Sequence, residues 1–193
     1  ALPSSGRLSS ARNRLAATGN STAGYFAGGG STTTMDKLSY SDDTRSTLPS
    51  SGSLSQTRRE MGAVSSLFAG DSLRNPPDPT PTPTTSNGIG PPPNTGYFGG
   101  GNESDDFVTT MDKLSYALDT IAVVPGANLS LGRSGLAATG NLANGYFGGG
   151  DANDITDSTM DKLSYASDTT AAVPGAALSV ARQTLAATGN STA

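Results

Sequence analysis

The side chains able to do chemistry in this chain are nearly all carboxylates. Asp105 and Asp106 are adjacent, and Asp151, Asp154 and Asp157 crowd a run reading DANDITD. Two carboxylates can divide acid and base work when a dry pocket raises the pKa of one of them. No apolar neighbours in the sequence would desolvate these, so they read as a solvated acidic loop. Asp151, Asn153, Asp154 and Asp157 together could instead offer oxygen ligands to Ca²⁺. Their spacing is not that of a calcium hand, and the closing glutamate is missing. Asn102, Glu103, Asp105 and Asp106 stand at the equivalent place in an earlier copy, where the first copy has only STTT.

The absences restrict the chemistry further. The chain has no His and no Cys, so it offers no imidazole base, thiolate or disulfide. A Ser-His-Asp hydrolase is excluded. The GGG runs invite a phosphate reading, but a phosphate cradle needs a helix N-terminus just after the glycines. Here Ser, Asn or Asp and a loop follow instead. Asp36, Asp112 and Asp161 each precede a lysine, Lys37, Lys113 and Lys162. A catalytic residue is seldom repeated in every unit of an array, so these imply a structural role. Capping turns or pairing with an arginine of a neighbouring repeat would fit. No catalytic residue and no bound cofactor is expected.

Asn20, Asn102, Asn128 and Asn190 begin Asn-X-Ser/Thr triplets. Thr80, Thr82, Thr84 and Thr85 lie among prolines and suit O-linked sugars. Ca²⁺ and covalent glycans are therefore the non-protein groups these residues could take. The net charge is −4 and no Lys/Arg run occurs, so nothing attracts nucleic acid or an anionic membrane. No apolar stretch approaches ~18 residues, so no membrane-spanning helix is expected. No signal peptide is visible, and a start at Ala1 rather than Met suggests a processed or truncated N-terminus.

The elements that must position these residues come in tandem repeats. Tyr97 and Tyr146, Met111 and Met160, Pro125 and Pro174, and Leu136 and Leu185 all share one offset of 49 positions. An earlier copy runs from Leu2 through GYFAGGG and TMDKLSY. A second, damaged copy at 48–70 carries half a repeat, with Phe68 in the place of the GYF phenylalanine. A Pro/Thr-rich stretch then follows at 71–95, which cannot be strand because proline donates nothing to a ladder. The expected organisation is 1–70 (a repeat and a half), a linker or loop at 71–95, and 96–193 (two repeats, the last incomplete). LAATGNSTA occurs at both 15–23 and 185–193, so the chain reads as a window from a longer array.

Each unit offers four strand candidates: LAATG, GYFGG, MDKLSY and the TAAV-like run before Pro-Gly. The run ALSVARQTLAATG has roughly helical spacing of Leu178, Ala181 and Leu185. Thr188-Gly189-Asn190 ends it abruptly, so passage from coil to strand is expected. Hydrophobic residues other than Gly are 34% of the chain, with only five Phe, six Tyr and no Trp. One thick core of large side chains is therefore not expected.

Arg133, Tyr146-Phe147-Gly148-Gly149, Tyr165, Pro174 and Arg182 follow the order of the kelch repeat, which this chain resembles over nearly all its length except 71–95. The resemblance implies an all-β fold of kelch-like β-propeller blades, each a four-stranded antiparallel unit of about 49 residues. Kelch repeats usually carry a Trp where this chain has Thr169-Thr170-Ala171, which implies lighter packing between blades. Some kelch relatives are copper oxidases; their His and Cys-linked Tyr have no counterpart here. The chain is also similar to GYFGGG/AATGN repeat proteins of aquatic phages and bacteria. That implies a non-enzymatic structural protein of a virion appendage, such as a phage tail fibre, or of an extracellular filament. Self-association or other fibre and virion proteins would be its partners, with the variable loops free for receptor contact. The other reading is a carbohydrate- or protein-binding propeller of a bacterial surface adhesin, with a glycan receptor. Both place it outside the cell, on a surface or in a virion. About three and a half units are too few to close a propeller, which needs at least about four. The ring is thus expected to be incomplete or completed by neighbouring subunits.

Overall fold

The computed structural model describes residues 6–30, 32–66 and 94–189. These residues form an all-β array of three four-stranded antiparallel sheets, each a simple up-and-down meander. The first contains β1 (Ala16–Gly19), β2 (Ala23–Ala27), β3 (Met35–Ser39) and β4 (Arg45–Thr47). The second contains β5 (Gly62–Ser66), β6 (Thr95–Gly99), β9 (Met111–Ser115) and β10 (Thr120–Val123). The third contains β11 (Ala137–Gly140), β12 (Asn144–Gly148), β15 (Met160–Ser164) and β16 (Thr169–Ala172). All four strand candidates of the repeat thus appear, in sequence order.

The register repeats from sheet to sheet. Tyr25 lies opposite Lys37, Tyr97 opposite Lys113 and Tyr146 opposite Lys162. Side chains alternate across a strand, so each sheet has two different faces. One carries the Tyr of GYF with Met and Lys of MDKLS, toward the next sheet. The other carries the Phe of GYF with Asp and Leu of MDKLS, toward the preceding one. The buried apolar residues fall into two layers, each shared by two sheets. Tyr25, Met35, Leu54, Phe98 and Leu114 belong to the first layer; Tyr97, Met111, Leu129, Phe147 and Leu163 belong to the second. Thin layers between sheets take the place of one thick core, which suits so few large apolar side chains. Glycine makes the close approach possible: a Cβ on Gly62 would fall 2.9 Å from the Phe147 ring.

Three features differ from the expectations above. Gly62–Ser66 pairs along its whole length with Thr95–Gly99, so the half-repeat at 48–70 supplies the first strand of the second sheet. Phe68 and the Pro/Thr stretch to residue 93 lie outside the described residues. The variable loops contain small hairpins, β7 (Asn102–Glu103) with β8 (Asp106–Phe107) and β13 (Asp151–Ala152) with β14 (Ile155–Thr156). LAATG at 185–189 has no strand partner among the described residues, and 177–189 forms no helix. A strand needs a ladder partner, and β1, β5 and β11 each receive theirs from the GYF strand that follows.

Candidate functional site: the charged staples between sheets

The side chains that recur in every repeat build two staples. The first centres on an arginine just ahead of each sheet. Arg58 Nη1 donates to the carbonyls of Gly100 (2.9 Å) and Thr110 (2.8 Å), and its Nη2 to Asp112 Oδ2. Arg133 does the same to Gly149, Thr159 and Asp161, and Arg12 to Gly28, Thr34 and Asp36. The Arg58–Asp112 and Arg133–Asp161 side chains are fully buried. The arginine backbone faces the other way. Gly29 N–H donates to Arg58 O (2.9 Å) and Gly101 N–H to Arg133 O (2.8 Å). Each such arginine therefore holds the preceding sheet by its carbonyl and its own sheet by its guanidinium.

GGG makes this geometry possible. Gly100 has φ +67°, and a Cβ there would fall 2.7 Å from Arg133 O. The triplet is thus required by a left-handed backbone and a passing carbonyl, with no phosphate site implied. Burial pulls the Arg58 guanidinium down in pKa, and the Asp112 carboxylate offsets only part of that. Burial pushes the Asp36 carboxyl up, but Ser9, Thr47 and Arg12 more than offset it and hold it below the ordinary range.

The second staple runs from one sheet to the next. Tyr25 Oη donates to Asp119 Oδ1 (2.7 Å) and Lys37 Nζ to Asp119 Oδ2 (2.6 Å). One unit later, Tyr97 and Lys113 hold Asp168 at 2.7 and 2.6 Å. Asp119 and Asp168 sit in the turn after MDKLSY at φ 54° and 52°, a left-handed conformation that Asp tolerates better than most residues. The aromatic rings add to the contact. Tyr25 meets Tyr116 with centroids 5.1 Å apart, and Tyr97 stacks on Tyr165 at 5.5 Å. Burial, with Asp119 and Asp168 beside them, pushes the Tyr25 and Tyr97 hydroxyls well above the ordinary phenol range.

The sequence singled out the recurring Asp and anticipated an arginine partner. It missed the Asp of the following turn, although Asp43, Asp119 and Asp168 recur at one fixed distance after MDKLSY. The residues considered for Ca²⁺ are spread along one hairpin. Asn153 and Asp154 form its exposed tip, at φ 52° and 60°. Two successive left-handed residues are what a tight type I′ hairpin turn needs, and Asn and Asp supply them. Asp157 Oδ1 accepts from Thr159 N–H and lies 3.7 Å from Arg133; Asp151 lies in β13. Among the described residues no three carboxylates gather into a cation cage. In the sister hairpin Asp105 pairs with Arg59 at 2.9 Å, and Asp106 is exposed.

The sugar-acceptor candidates occupy different settings. Asn20 Oδ1 takes the N–H groups of Thr22 and Ala23, closing the turn between β1 and β2. Asn102 is buried, with Oδ1 turned to the Asp105 N–H. Asn128 is exposed, and its Oδ1 accepts from Met111 N–H at 3.3 Å. Asn190 and Thr80, Thr82, Thr84 and Thr85 lie outside the described residues. An open groove of about 530 Å³ beside the first sheet is lined by Ser10, Ala11, Arg12, Asn13, Gly29, Gly30 and Thr32; its one titratable side chain, Arg12, is bound to Asp36. Among the described residues no helix is long and apolar enough to cross a membrane. No protein-family model and no curated protein matches the chain.

Proposed function

We propose that this chain is a non-enzymatic structural repeat protein, built of kelch-like blades, from a virion appendage such as a phage tail fibre or from an extracellular filament. The observation that carries the reading is where the recurring charged groups go. Arg58, Asp112, Lys113 and Asp168 all bond within or between sheets. Where two sheets meet, the side chains repeated along the array are thus spent on joining them, with the hairpins β7–β8 and β13–β14 left outward for receptor contact. Three sheets of this kind either form part of a propeller ring that neighbouring subunits complete or stack as an open array. Imaging of the native particle tests this: the chain is expected in a polymer or on a virion, and a free soluble monomer there would refute it.

The adhesin reading draws on one observation, the exposed hairpin tip around Asp154 and Ile155, the latter 70% exposed. Binding to a glycan array, lost when the Asn153–Ile155 tip is replaced by a plain turn, would favour it.

A further inference from the structure

The outer faces of the first and third sheets are the two halves of the interface that already joins the three. Tyr146 and Lys162 are the third sheet's counterparts of Tyr25–Lys37 and Tyr97–Lys113. Among the described residues neither makes a side-chain hydrogen bond or ion pair, and Lys162 is exposed. At the other end Asp43 is the counterpart of Asp119 and Asp168. It has the same left-handed φ, 55°, and is exposed, with no ion pair among the described residues. Tyr40 is 52% exposed, where its counterparts Tyr116 and Tyr165 are 6% and 2% exposed against the preceding sheet. The charges are complementary, and the register is fixed by the repeat.

The connecting segment is half engaged as well. Gly150 N–H donates to Arg182 O at 2.9 Å, as Gly29 does to Arg58 and Gly101 to Arg133. Arg182 is nevertheless exposed, and among the described residues its guanidinium reaches only Val180 O, at 3.1 Å. The segment runs on along β11: a Cβ on Gly189 would fall 2.4 Å from Thr139 Oγ1. Residues 185–189 read LAATG, identical to 15–19. They occupy the place of a first strand and pair with no second among the described residues.

Resting on the structural reading above, we propose that two copies of this chain join head to tail by repeating the internal interface. Asp43 of the second copy takes Tyr146 and Lys162 of the first. Two LAATG segments compete for one slot, so 185–189 of the first copy replaces 15–19 of the second beside its β2. Arg182 then lies on Asp36 of the second copy, where Arg12 had been. Such an exchange swaps like contacts for like, which makes segment swapping a low-cost route to assembly.

The test is a charge swap with the 193-residue chain, read by sedimentation over a range of concentrations. Asp43→Lys and Lys162→Asp should each weaken self-association roughly tenfold or more, since each sets like charges opposite one another. Their mixture should associate as the unaltered chain does. Asp43→Asn, which suits a left-handed turn, should also weaken association, and circular dichroism checks that each variant is folded. For the exchange, a chain with Ala186→Cys is mixed with one carrying Ala27→Cys. Oxidation should link the two, because Ala16 lies opposite Ala27 and the chain has no other Cys. Ala16→Cys with Ala27→Cys in one chain is the control. Association indifferent to the swaps, or a monomer in every combination, overturns the docking; docking without the cross-link overturns the exchange. These failures leave the structural reading standing, since that falls only with the imaging of the native particle.

Discussion

Asp112 shows what a buried ion pair demands. Its Oδ2 is held by Arg58, but among the described residues its buried Oδ1 has no partner. Asp36 escapes this because Thr47, opposite it on β4, donates its hydroxyl to Oδ1 at 3.0 Å. Val123 stands opposite Asp112 in the same register and has nothing to donate. Val123→Thr should therefore stabilise the chain by about 1 kcal/mol, the net worth of one added hydrogen bond, read as a raised urea midpoint. Asp112→Ala should cost about 3–5 kcal/mol, because it leaves the Arg58 guanidinium buried and unpaired. Loss of below about 1 kcal/mol in urea unfolding would show that water reaches the arginine.

At the scale of the element, the GGG turns separate two demands on glycine. Gly30 has φ +60° with nothing within 4 Å of a Cβ, whereas Gly100 has φ +67° with Arg133 O at 2.7 Å. Gly30→Ala should cost only the left-handed penalty, about 1 kcal/mol. Gly100→Ala should cost at least about 2 kcal/mol, since it also pushes away the carbonyl that accepts from Gly101. Thermal unfolding of the two variants side by side checks the difference. Equal losses would mean that the Arg133 segment yields freely and does not bind the sheets together.

For the whole molecule, the staples set the pH range of stability. Asp36 titrates below its ordinary range in the folded chain. Its contribution is therefore whole above the unfolded carboxylate pKa of about 3.9 and is lost as pH falls through the lower folded value. Tyr25, Tyr97, Tyr116 and Tyr165 are raised, chiefly by burial. Their contribution is present below the unfolded phenol pKa of about 10 and is lost as pH rises above it. Urea midpoints should thus be level between about pH 5 and 9 and fall on both sides. An alkaline limb that stays flat above about pH 10.5 would contradict the burial of these rings.

The sequence by itself determined the period, the four strands of each unit and the all-β class. Those follow from local features: alternation along a strand, and Gly, Asn, Asp or Pro at each turn. It also singled out Asp36, Asp112 and Asp161 by their recurrence. Only the tertiary structure decided what each strand and charge meets. Gly62–Ser66 lies in the half-repeat visible in the sequence, but its partner begins at Thr95, across a long Pro/Thr stretch. Arg58 meets Asp112 54 residues on, and Tyr97 meets Asp168 71 residues on. Pairings at that range depend on which faces the packed sheets bring together, and no pattern within a single repeat encodes them. The DANDITD run is the clearest case: its composition suggested ligands, but the fold uses Asn153 and Asp154 for the left-handed backbone of a turn.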